Sequence, residues 1–175
     1  VAGSGLQVEY ISDNPLVAAI TGSTVHIVGV GTAVITASQP GDGNYNAAPD
    51  VQQTLTVSKV NLTFTASDKL KFFQDPNPVL TYTISGFVNG DDESVLNVLP
   101  AIITTASQNS PVGDYPITIS GGSDNNYNYI FVAGTLTITY IPQTITFIDY
   151  PEKLLAGDSY TLSATSTSGL TVLFE

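Results

Sequence analysis

Short stretches of the chain alternate apolar and polar residues with period two, the mark of strands that bury one face. Thr24 to Val28 (TVHIV), Ala33 to Ala37 (AVITA), Thr54 to Val57 (TLTV), Leu62 to Thr65, Leu80 to Ile84 (LTYTI), Pro116 to Ile119 and Thr135 to Thr139 all read this way. Between them lie SDNP at 12–15, PGDG at 40–43, DPNP at 75–78 and GGSD at 121–124. Gly, Pro, Asn and Asp supply the conformations tight turns need. Many short strands separated by such turns predict an all-β sandwich or barrel. Asn89 to Leu96 (NGDDESVL) departs from the pattern, because acids followed by apolar residues predict a single helical turn capped by an Asp. A longer helix there makes a β-grasp arrangement the alternative for that part of the chain.

The pattern repeats. Without a gap, a shift of 82 residues aligns Val30 to Asn46 (VGTAVITASQPGDGNYN) with Val112 to Asn128 (VGDYPITISGGSDNNYN), and nine of the 17 positions are identical. Chance gives about one, since a typical residue type makes up under about a tenth of a chain. After a one-residue slip, TLTV at 54–57 meets TLTI at 135–138. At a shift of 83, Thr63, Phe64, Asp75, Ser85 and Gly86 meet Thr146, Phe147, Asp158, Ser168 and Gly169. Ser168, Gly169, Leu170 and Val172 in turn repeat Ser4, Gly5, Leu6 and Val8 at a shift of 164. The expected organisation is therefore the C-terminal part of one repeat at 1–58, a complete repeat at 60–140 and the N-terminal part of the next at 143–175, a window onto a longer array.

Composition narrows the function classes. Fifteen Gly and 10 Pro punctuate a chain that is 42% hydrophobic and only 11% charged, which fits strands and turns and excludes disorder. The formal charge of −11 comes from 15 acids against four lysines, with no arginine. Such a field repels nucleic acid and anionic lipid and offers no bidentate phosphate reader, so nucleic acid is not an expected partner. Cys is absent, which removes disulfides and thiolate metal sites. No apolar run approaches the ~20 residues that span a bilayer, so no membrane insertion is expected of this segment.

The middle repeat closely resembles a known family. KLKFFQDPNPVLTYTISGFVNGDDESVL, then SPVGDYPITISGGSDNNYNY and GTLTI, fall in the order of the MBG domain of the YGX type, a mostly bacterial repeat. It departs from that pattern at Phe73-Gln74, where the family has Tyr-Gly. The flanks, SGLQVEYISDNP through GVGTAVITASQPGDGNYNAAP and PQTITF through SATSTSGL, resemble bacterial Ig-like repeats. The resemblance implies all-β, tandem immunoglobulin-like β-sandwich repeats and an extracellular, cell-surface setting. It also implies a spacer role in the stalk of a long adhesin or surface filament, and it carries no catalytic residues over.

Candidate chemistry is sparse, and no enzyme is expected. His26 is the only imidazole, and alternation places it with Thr24 on the solvent side of its strand. Asp91, Asp92 and Glu93 form the densest acid run, but neighbours in a Gly-led turn do not face each other across a substrate as paired catalytic carboxylates must. No cofactor is expected; calcium is the one alternative, with Asp42, Asn44, Asp124 and Asn126 as oxygen donors in two equivalent loops. The competing reading is a turn in which Asp bonds its own backbone. Tyr45 and Tyr127 recur at equivalent positions, which points to a structural ring whose hydroxyl bonds backbone, as in a tyrosine corner. Tyr127 and Tyr129 are the candidate ligand contacts if the repeat is a carbohydrate- or protein-binding module. The expected partners are neighbouring repeats of the same chain, and other copies through exposed strand edges if the part-repeats complement one another as a filament.

Overall fold

Backbone pairing divides the chain into three stretches, seen in a computed structural model that describes residues 3, 5–149, 151 and 153–174. Ser4, named above, lies outside the described residues. In the first stretch, β1 (Glu9–Ser12), β4 (Gly31–Gln39) and β5 (Ala48–Val57) form an antiparallel sheet in the order β1-β4-β5, and β2 (Ala18–Thr21) and β3 (Thr24–Ile27) form a separate hairpin. Its core is small: Val17, Ala18 and Ala33, with Ile35, Leu55 and Val57 packed against them.

The second stretch is a two-sheet sandwich. It holds β6 (Val60–Ala66), β7 (Lys69–Phe72), β8 (Tyr82–Ser85), β9 (Ala101–Thr104), β10 (Gly113–Ser120), β11 (Tyr127–Val132) and β12 (Gly134–Thr139). One sheet runs β11-β6-β8 and the other β7-β12-β10-β9. Alternation sets what each strand buries: Leu62, Phe64 and Ala66 from β6, Ile117 and Ile119 from β10, Leu136 and Ile138 from β12. Phe64 is fully buried, with ring centroids of Tyr129 at 4.6 Å, Tyr82 at 5.4 Å and Phe131 at 5.9 Å.

The opening strand feeds both sheets. β6 pairs in parallel with β11, and after a bend at Ser67 and Asp68 the chain continues as β7, parallel to β12. The Asp68 carboxylate accepts the Thr135 N–H at 2.7 Å and fixes the bend. Beside it, a Cβ on Gly134 would stand 2.8 Å from the Ala66 carbonyl, so only glycine lets β12 start this close to the end of β6.

The two segments aligned at a shift of 82 make like ladders. β4 pairs with β5 through Gly31↔Val57 and Ala33↔Leu55, and β10 pairs with β12 through Gly113↔Ile138 and Tyr115↔Leu136, the same register after the one-residue slip. The third stretch, β13 (Ile145–Phe147) and β14 (Ala164–Ser166), departs from it. The shift of 83 matches Thr63↔Ser85 to Thr146 and Ser168, whereas Thr146 pairs with Thr165. Register is fixed by a buried face, and Ile145 and Phe147 on β13 are exposed here.

Two expectations change, and β7 departs from simple alternation. The β-grasp alternative does not hold, because the acidic segment forms only a 3-10 turn, Glu93–Val95, capped by Asp92, whose Oδ1 accepts the Ser94 N–H at 2.9 Å. The strand expected over 80–84 pairs only over Tyr82–Ser85, after the Pro-rich stretch 76–78. In β7, Leu70 and Phe72 point outward and Lys71 points in, 5% exposed. Its ammonium donates to the carbonyls of Asp75 (2.9 Å), Ser107 (2.9 Å) and Gln108 (3.4 Å), so charge and all three donors are met by backbone dipoles. That contact ties the turn after β7 to the loop between β9 and β10.

The same turn sets the cost of the Phe73-Gln74 departure. The Asp75 N–H closes onto the Phe72 carbonyl at 3.1 Å, and Gln74 sits at φ 68°, the position of a type II turn that favours glycine. Two stability tests follow, each read as a denaturant midpoint. Gln74→Gly is expected to stabilise by about 0.5–1 kcal/mol, the left-handed penalty of about 1–2 less the entropy glycine loses. Lys71→Met keeps the apolar stem and strips three carbonyls of their donor, at an expected cost of about 2–3 kcal/mol.

Candidate functional site

The two Asp-x-Asn-Tyr loops fold alike. Asp42 Oδ1 accepts the N–H groups of Asn44 (2.8 Å) and Tyr45 (2.9 Å). Asp124 Oδ1 accepts those of Asn126 (2.7 Å) and Tyr127 (3.0 Å). Each Asp thus satisfies backbone donors two and three residues on, the Asx arrangement that lets the chain reverse without a ladder. Asp124 carries more: it is 8% exposed and its Oδ2 also accepts the Asn97 N–H at 3.1 Å, while Asn97 Oδ1 accepts the Asn125 N–H at 3.0 Å. The four residues named as calcium donors therefore stand in loops whose carboxylates already serve three and two backbone N–H groups. Among the described residues, no group of three or more His, Cys, Asp or Glu side chains is placed to hold a metal.

The tyrosines separate by position. Tyr127 is 4% exposed, with its ring edge-on to Phe87 at 5.7 Å, whereas its twin Tyr45 is 53% exposed. The Tyr127 hydroxyl donates to Asp91 Oδ2 at 2.6 Å and accepts the Val88 N–H at 3.4 Å. Tyr129 packs its ring on Phe64 and points its hydroxyl at the carbonyls of Val98 (3.1 Å) and Ser123 (3.3 Å). Both rings belong to the sandwich rather than to an open stacking platform. A Cβ on Gly122, at φ 73°, would meet Tyr129 Cε2 at 2.9 Å, so that glycine makes room for the ring. The tyrosine-corner bond, hydroxyl to backbone a few residues upstream, belongs to Tyr115, which donates to the Pro111 carbonyl at 2.9 Å beside the start of β10.

The remaining candidates are dispersed. His26 lies exposed on β3 opposite Ala19. Asp91 is engaged with Tyr127, Asp92 caps the 3-10 turn and Glu93 lies within it, so three consecutive acids do three local jobs. The Ser94 hydroxyl and N–H bonded to Asp92 hold its carboxyl below the ordinary range. Lys59, whose ammonium reaches the Asp124 carbonyl at 2.6 Å, and Asn97 carry no local sequence signal, because each meets the loop from far along the chain.

Burial pushes the hydroxyls of Tyr127, Tyr129 and Tyr82 above their ordinary 10.0. The carboxylates of Asp91, Asp124 and Glu93 respectively add to the rise. An unfolded chain releases these protons near pH ~10 while the native state keeps them, so their contribution to stability is full below that pH and is lost as pH rises through the folded values. Circular dichroism and tyrosinate absorbance are expected to change together above pH ~10, and Tyr129→Phe is expected to move that transition to higher pH.

The search of curated proteins gives no match to this sequence. A family model does match, over the sandwich that holds Lys71, Asp124 and Tyr127. Residues 62–137 of the chain are accordingly identified as an MBG domain (YGX type).

Proposed function

We propose that this chain is a structural spacer, a stalk segment of a long extracellular repetitive adhesin or surface filament, with Ig-like part-repeats on either side of the MBG domain. MBG domains are found in surface repeat proteins. The observation that carries the reading is surface area. The chain exposes 12083 Å² for 18.3 kDa, whereas a compact monomer of that mass exposes about 8,100 Å². The excess fits pieces strung in a line, each contacting mainly its neighbours. Links are short: β5 ends at Val57 and β6 begins at Val60, leaving Ser58 and Lys59 between them.

A second reading, strand complementation between copies, rests on edges. β12 has β7 along its outer side, but β5, which shares the register of β12, ends its sheet with Val51 exposed. Ile145 and Phe147 on β13 are exposed as well. Small-angle scattering addresses both readings. A compact globule of 175 residues has a radius of gyration of about 16 Å. The spacer is expected to exceed about 20 Å at every concentration, and a value near the globular one overturns it. Forward scattering that climbs with concentration favours complementation instead.

A further inference from the structure

The nine identities shared by Val30–Asn46 and Val112–Asn128 fall in three groups along the fold. Two fall at Val30-Gly31 and Val112-Gly113, three within the strand that follows, and four in the loop run, Asp42, Asn44, Tyr45 and Asn46 with Asp124, Asn126, Tyr127 and Asn128. The Val-Gly turn stands at the start of β4 or β10, with the glycine as the strand's first residue, and the loop follows the same strand. Eight or nine residues of strand put about 25–30 Å between them. Each repeat thus carries both features at opposite ends of one strand.

In the chain these two features meet. The Val30 N–H, from the first stretch, donates to the Asn126 side-chain Oδ1 of the MBG domain at 3.2 Å. Asn126 is held for this by its own N–H on Asp124, and its carbonyl accepts the Val60 N–H at 3.1 Å. Lys59, in the link, donates to the Asp124 carbonyl at 2.6 Å. The loop therefore grips both the turn of the preceding repeat and the linker that follows it.

The turn is shaped for that grip. A Cβ on Gly29 would stand 2.9 Å from the Leu16 carbonyl and 3.7 Å from Asn126 Oδ1. Gly31 has φ 142° and its twin Gly113 has φ 149°, so the turn recurs in backbone as well as sequence. At the far end of the MBG domain, Val112 lines a groove of ≈ 750 Å³ together with Gln143, Ser168 and Leu170 of the third stretch.

We propose that the Asp-x-Asn-Tyr loop is the joint between repeats: a socket whose Asn side chain captures the backbone N–H of the Val-Gly turn on the preceding repeat, and so fixes the angle between the two. This rests on the spacer reading and names the surface and partner that make the spacer stiff. It also accounts for the recurrence of Asn126 and Asn44, which the Asx turn alone does not require.

The chain has no cysteine, so Gln53→Cys and Thr118→Cys on exposed positions of β5 and β10 allow two spin labels in the full chain without background. Pulsed dipolar spectroscopy is expected to give one narrow distance distribution. Asn126→Ala should at least double its width, and Asn44→Ala, outside this joint, should leave it unchanged. Val30→Pro removes the same bond from the donor side and should broaden the distribution likewise, which keeps the test open if Asn126→Ala perturbs its own loop. A narrow distribution that survives both Asn126→Ala and Val30→Pro overturns the joint and leaves the spacer standing. Broadening by Asn44→Ala overturns the assignment to Asn126, and a broad distribution in the unsubstituted chain overturns joint and stiff spacer together.

Discussion

Closure of the sandwich depends on its first strand changing sheets at Ser67 and Asp68. β6 must lie beside β11 and β7 beside β12, so the beginning of the repeat completes ladders whose other members come from its end. One sheet is not whole until β11 is in place and the other not until β12 is, and this long-range pairing is slow to form because loop entropy is lost before contacts reward it. Phe64, Leu62 and Leu136 are fully buried only because both sheets are present to cover them. Where that closure is missing, as around β5 and β13, the same kinds of residues remain exposed.

Local chemistry then trims the ends of the strands. Asp42, Asp68, Asp92 and Asp124 each accept backbone N–H groups that no ladder reaches, and Lys71 does the converse for three carbonyls. Buried or turn-bound backbone groups left without partners cost roughly 1–3 kcal/mol apiece. An acidic chain with few cations is thus using its charge as internal hydrogen-bond chemistry as much as for solubility.

The parts of the fold legible in the sequence were those governed by local physics. Alternation located β4, β6, β10 and β12, because their inward residues are apolar and most of their outward ones are Thr or Ser, and self-comparison found the shared ladder register. The cap at Asp92 and the Asx turns followed from residue type and spacing. β7 was illegible because Lys71 inverts its pattern, buried for the sake of carbonyls 36 and 37 residues away. β11 was hidden inside a run of Asn and Tyr that reads as loop, and it became a strand only through its parallel partner β6. Tyr115, rather than Tyr127, makes the corner bond because what decides it is a carbonyl four residues upstream, not recurrence between repeats.

The parallel pairing of first and last strands has a mechanical consequence. In a chain held at both ends, tension enters the MBG domain at the start of β6 and leaves at the end of β12. Parallel neighbours place those two points at opposite ends of the ladders, so the load runs along the strands and across their hydrogen bonds. The six paired positions of β6 with β11 and the four of β7 with β12 must then fail in shear, as groups. An antiparallel pair in the same place would carry both points at one end and open one bond at a time, like a zip.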